Sequence, residues 1–122
     1  MTLHGHHLIA GQSIAATGDT FRHISPLNSQ PLEPAYGDAT TAQVDAALQA
    51  ADAAFDALRT ASVETRAKLL DLIADNMVAL GDALLDRAHA ETALPMARCT
   101  GERGRAVGQC KLFASLLRDG SW

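Results

Sequence analysis

Long apolar runs, clustered basic residues, aromatic side chains and cysteine are all scarce in this 122-residue chain. No stretch approaches the roughly 18 unbroken apolar residues that a membrane-spanning helix needs. The formal charge is −4 and no basic patch stands out, which argues against nucleic acid as a partner. The opening Met1-Thr-Leu-His-Gly-His-His has no cationic region leading into an apolar core, so no secretion signal is expected and the cytoplasm is the expected compartment. Only Cys99 and Cys110 are present. On one helix they would lie about 16 Å apart along the axis. A disulfide needs Cα atoms within about 7 Å, so the two cannot pair while that helix is intact.

Five residues are aromatic, whereas 24 are alanine. The larger apolar types, Leu, Ile, Val, Met, Phe, Tyr and Trp, number 32. Burial stabilises by roughly 25 cal/mol per Å² of apolar surface, and alanine brings little surface. The material for a core is therefore thin for a single small domain, and some apolar helix surface is expected to want a partner outside this stretch.

The first 37 residues read as short strands and turns. A hairpin is expected over residues 8–15, turning at Gly11-Gln12, with a further turn at Thr17-Gly18-Asp19. Residues 20–25 alternate as a strand, Pro26 to Pro31 has the composition of a turn, and residues 32–36 return as a strand that Pro34 confines to an edge. From Thr40 the period becomes helical. Thr40 and Gln43 fit a capping box. Val44, Ala47, Leu48, Ala51, Ala54, Phe55 and Leu58 follow helical spacing. Ser62 starts a second helix, with Glu64 in the first turn. Its expected buried stripe is Leu69, Leu70, Ile73, Met77 and Leu80, and Gly81 ends it. Asp82 is expected to cap a third helix that stops before Pro95. A fourth runs from about Met96 to Leu117. The chain thus divides into a ribbon, 1–37, and a helical part, 38–122.

Several residues could carry chemistry, and each has a structural reading beside the functional one. Gly101, Gly104 and Gly108 lie on the fourth helix, where each costs about 1 kcal/mol against alanine. A phosphate loop would need a preceding strand and a different glycine spacing, so close packing against another backbone is the expected reason. Cys99 has Arg98 beside it and Arg103 one turn on, and Cys110 has less. Both are expected to be inert helix cysteines. His4, His6 and His7 lie near the amino terminus, where no set of fixed, supported metal ligands is expected. Asp86, Glu91 and Glu102 are spaced as solvated helix charges, with Glu102 paired to Arg98 four residues before it. No catalytic, cofactor-binding or metal residue is therefore expected in this stretch.

The helices resemble the amino-terminal region of aldehyde dehydrogenases. Ala39 to Phe55 looks like the family's first helix and Ser62 to Asp75 like its second. Glu91-Thr-Ala-Leu-Pro95 is similar to an E-T-G-L-P junction, and His7-Leu-Ile-Ala-Gly-Gln12 fits the opening ribbon. Gly101-Glu-Arg-Gly-Arg-Ala-Val-Gly-Gln109 resembles the branch acting on 2-oxoglutarate semialdehyde, which also includes NADP-linked fatty-aldehyde enzymes. The resemblance implies an α/β family fold. This stretch would be a β-ribbon followed by about four helices, without the parallel sheet.

It also implies oxidation of an aldehyde to a carboxylic acid with NAD or NADP. A cysteine thiolate attacks the carbonyl, amide groups stabilise the oxyanion, and a glutamate activates water to release the acid. Those residues and the cofactor loop would all lie beyond position 122, so no cofactor is expected to bind this chain alone. Three readings follow: a truncated dehydrogenase inactive by itself, one half of a split enzyme whose remainder is a separate chain, and a small non-catalytic helical interaction module. With the parallel sheet absent, Leu112, Phe113, Leu116 and Leu117 would lack part of their cover, which favours self-association.

Overall fold

The computed structural model describes residues 3–122. Met1 and Thr2, where the expected ribbon segment 1–37 begins, lie outside the described residues. The chain forms two compact units, Met1–Arg59 and Thr60–Trp122. The ribbon itself ends at Gly37, well before the first unit does.

In the first unit, β1 (His7–Ile9) and β2 (Gln12–Ile14) pair antiparallel, with His7 opposite Ile14 and Ile9 opposite Gln12. The turn is Ala10-Gly11, one residue earlier than composition suggests. Both residues have positive φ, 50° and 76°, as a tight two-residue hairpin turn requires. Alanine seldom adopts that backbone, which is why the sequence points to Gly11-Gln12 instead.

β3 (Thr20–Phe21) pairs antiparallel with β4 (Tyr36–Gly37), and Ile24 bridges Pro31. The strands expected over 20–25 and 32–36 are thus shorter and, for the second, shifted. The intervening chain satisfies its own backbone. Ser25 N donates to Gln30 O and Ser29 N to Ser25 O, both at 2.8 Å, so the Pro26–Pro31 turn forms as expected. Pro34 has no N–H for a ladder. The rings of Phe21 and Tyr36 stack at 5.9 Å, and Arg22 pairs with Glu33 at 2.9 Å. Gly5 lies so close to the returning chain that a Cβ there would collide with Ala35 O.

The capping box starts α1 (Thr41–Thr60): Thr40 N donates to Gln43 Oε1 at 2.9 Å, and Gln43 N to Thr40 Oγ1 at 3.3 Å. Gln43 Nε2 also donates to Ala15 O at 3.2 Å, tying the helix start to the ribbon. No residue of α1 is buried. Its apolar spacing is helical, yet Val44, Leu48, Phe55 and Leu58 are all exposed.

The second unit holds α2 (Val63–Ala79), α3 (Gly81–Thr92) and α4 (Met96–Asp119). Ser62 Oγ caps α2 by accepting from Thr65 N at 3.1 Å. Gly81, at φ 59°, ends α2 as expected. Asp82 does not cap α3. Leu80 closes one helix and opens the next, leaving no extended residue whose side chain could reach back, and Asp82 falls in the first turn.

The buried face of α2 is also rotated from the expected stripe. Ala67 and Ala74 are fully buried, Leu70 and Met77 are partly so, and Leu69, Ile73 and Leu80 are exposed. The cause is α4, which makes its main packing against α2 and adds a buried Ala114. Small side chains let two helices approach closely, so the alanine face wins over the leucine face. α4 runs two residues past Leu117 and stops at Gly120, at φ 66°. Among the described residues there is no parallel sheet, and no helix is long and apolar enough to cross a membrane.

Candidate functional site

The joint between α3 and α4 is the most densely bonded part of the second unit. Arg87 Nε donates to Glu91 Oε1 at 2.6 Å, a partly buried pair one turn apart. Thr92 Oγ1 donates back to Ala88 O at 2.6 Å and accepts from Leu94 N at 3.2 Å. Ala93 takes φ 58°, and its N–H closes α3 on His89 O at 2.8 Å. Leu94 O then receives His89 Nδ1 at 2.6 Å and Cys99 Sγ at 3.7 Å. Pro95 O accepts from Arg98 N and Cys99 N, which begins α4. Glu91-Thr-Ala-Leu-Pro95 is therefore a built corner, each residue with a bond to make. Ala93 is its one strained position, because an L side chain at positive φ crowds the carbonyl.

A ladder of ion pairs locks α2 to α4. Arg118 donates to Glu64 through Nε and Nη2 at 2.8 and 3.0 Å, and to Asp71 Oδ2 at 2.8 Å. Lys111 lies 3.2 Å from Asp71 Oδ1 and 2.7 Å from Asp75. The higher-numbered cation meets the lower-numbered carboxylates, so the helices run antiparallel. The Arg118 bond holds the Glu64 and Asp71 carboxyls below their ordinary range. The Asp75 bond raises Lys111. Sequence reasoning missed this ladder. Its signal was available: Glu64 and Asp71 are seven apart on one helix, and so are Lys111 and Arg118 on the other, two turns each.

The expected inert cysteines are both free thiols. Cys99 is buried beside an apolar hollow of about 270 Å³ lined by Met77, Leu84, Leu85, Leu94 and Ala106. Its two cationic neighbours are engaged elsewhere. Arg98 pairs with Glu102 at 2.6 Å, and Arg103 Nη1 donates to Gly81 O at 2.9 Å. A cation beside the sulfur is one way to stabilise a thiolate, and the hydrogen bond this sulfur makes goes to Leu94 O instead. Cys110 is half-buried about three turns further along α4.

Glu102 forms the expected pair with Arg98 and a second with Arg105 at 2.7 Å. Arg105, then Arg98, holds its carboxyl below the ordinary value, which keeps it ionised and unsuited to proton transfer near neutrality. Asp86 is exposed, and Glu91 is taken up in the corner. His4 and His6 stack at 4.8 Å, His6 Nδ1 bonds Ser13 Oγ at 2.9 Å, and His7 faces a hollow against α1. Among the described residues no three metal-binding side chains converge.

The glycines of α4 meet no other element among the described residues. They are exposed, and a Cβ built on Gly101, Gly104 or Gly108 would meet nothing within 4 Å. The close packing expected for them is not made by any described element. They mark an open helix face that alternates with the face turned to α2.

The comparisons with known proteins point one way. The sequence profile of the aldehyde dehydrogenase family matches residues 14–121. Alpha-ketoglutaric semialdehyde dehydrogenase 2 of Azospirillum brasilense is 49% identical over 121 residues, covering 98% of this chain and 23% of that protein. The alpha-ketoglutaric semialdehyde dehydrogenase of Acinetobacter baylyi is 41% identical over 118 residues, covering 97% and 22%. The fold matches Staphylococcus aureus betaine aldehyde dehydrogenase, solved in complex with NAD+, at a TM-score of 0.83 and 22% identity over 92% of this chain and 23% of that one. This chain spans less than a quarter of the length of these relatives.

Proposed function

The chain belongs to the aldehyde dehydrogenase family, and on that premise we propose that it is the amino-terminal scaffold of an NAD(P)-dependent oxidation of 2-oxoglutarate semialdehyde. The observation that carries the substrate is the 49% identity to the Azospirillum brasilense protein over almost the whole chain. The resemblance of residues 101–109 to the same branch supports it.

The residues present do not suit the nicotinamide cofactor. A dinucleotide's phosphates need unpaired backbone N–H groups at a strand-to-helix turn. Gly101, Gly104 and Gly108 instead lie inside continuous α4, where their amides belong to the helix. The role of this stretch is mechanical: the corner at Glu91–Pro95 joins α3 to α4, and the Arg118–Asp71–Lys111 ladder joins α4 to α2, so the three helices form one packed block. The partner of that block is the polypeptide, on this or a separate chain, that supplies nucleophile, base and cofactor loop. The exposed faces of α1 and α4 are where it would bind, and without it those faces would drive self-association. Two free thiols suit a reducing compartment, which supports a cytoplasmic location.

The test is complementation. This chain is co-expressed with the remaining portion of the Azospirillum brasilense relative, and the purified complex is assayed for reduced NAD or NADP with several aldehydes. Oxidation with the highest kcat/KM for 2-oxoglutarate semialdehyde is expected, and none from this chain alone. An assembled complex that oxidises nothing would overturn the scaffold reading. The substrate is tested separately, with the polypeptide that completes this chain in its own cell: a complex of the two that prefers an unrelated aldehyde would overturn it.

A further inference from the structure

We draw no further inference here: the strongest candidate, the apolar hollow beside Cys99 among α2, α3 and α4, carries nothing, because nothing in the structure shows what covers it.

Discussion

In the first unit the one helix, α1, buries none of its residues. In the second, α2, α3 and α4 hold all the buried apolar side chains of the described residues: Ala67, Ala74, Leu85, Cys99 and Ala114. The apolar content of the two does not explain the difference, since α1 carries Val44, Leu48, Phe55 and Leu58 at good helical spacing. The difference is what lies opposite. α2 and α4 present alanines to each other, flanked by carboxylates on one helix and cations on the other. α1 has a capping box and one bond to Ala15, but no facing helix in its unit. Helical periodicity reports that a face could be buried; complementary size and charge decide which face is.

The most direct way to break this comparison is to enlarge the alanine seam. Ala74→Leu adds volume where exposure is 0%. Overpacking of that kind costs typically 1–3 kcal/mol. The urea midpoint of the second unit should fall accordingly, followed by helical circular dichroism. An unchanged midpoint would mean that α2 and α4 are not held by that seam. Next in size is the corner. Ala93→Gly removes the crowding at φ 58°, worth roughly 1–2 kcal/mol, while loosening the unfolded chain by about half as much. A net gain of about 0.5–1 kcal/mol is expected as a higher urea midpoint at unchanged slope. A loss would show that the alanine methyl makes a contact worth more than the strain.

Helix existence and the ends at Thr40, Ser62 and Gly81, though not a cap at Asp82, were legible in the sequence because they are local. Thr40 with Gln43, Ser62 with Thr65 and Gly81 at positive φ need only their neighbours in the chain. The family was legible too, from the helix sequences and the Glu91–Pro95 corner. The buried face of α2 was not. A stripe of Leu69, Leu70, Ile73, Met77 and Leu80 is the better hydrophobic pattern, and the chain instead turns Ala67 and Ala74 inward. That choice depends on α4, forty residues on, and on the Asp71 pairs that fix its rotation. The short strands were misjudged for a similar reason: the 25–30 loop satisfies its backbone internally and leaves little to pair. The glycines of α4 suit close packing against a backbone, and no described element supplies one.

The ladder offers a smaller, titratable test of the same contrast. Glu64 and Asp71 have folded values below their ordinary 4.5 and 3.8. A depressed carboxyl stabilises the fold fully above its ordinary value, and the contribution is lost as pH falls through the depressed one. Lys111 is raised above 10.5 by Asp75 and Asp71, so its contribution is present at neutral pH and lost as pH rises through the raised value. The melting temperature of the second unit should therefore decline as pH drops below 4.5, and high salt should blunt the effect because these side chains are partly solvated. In Asp71→Asn that acid dependence should flatten. An identical pH profile in the variant would remove the ladder from the account.

The smallest expected effect is the most informative about α1. Leu48 is 63% exposed, and Leu48→Gln trades an apolar side chain already in water for a polar one of similar length and helix propensity. Surface changes of this kind stay within about 0.5 kcal/mol. The urea midpoint should hardly move, while the tendency of the chain to associate, read by light scattering, should fall. Backbone amides of α1 should also exchange faster than those of α2 and α4, since fewer buried contacts guard them. A loss well beyond 0.5 kcal/mol, with α1 amides as protected as those of α2, would mean that the first unit buries this face in solution. The contrast between the units would then lie in their partners rather than in their packing.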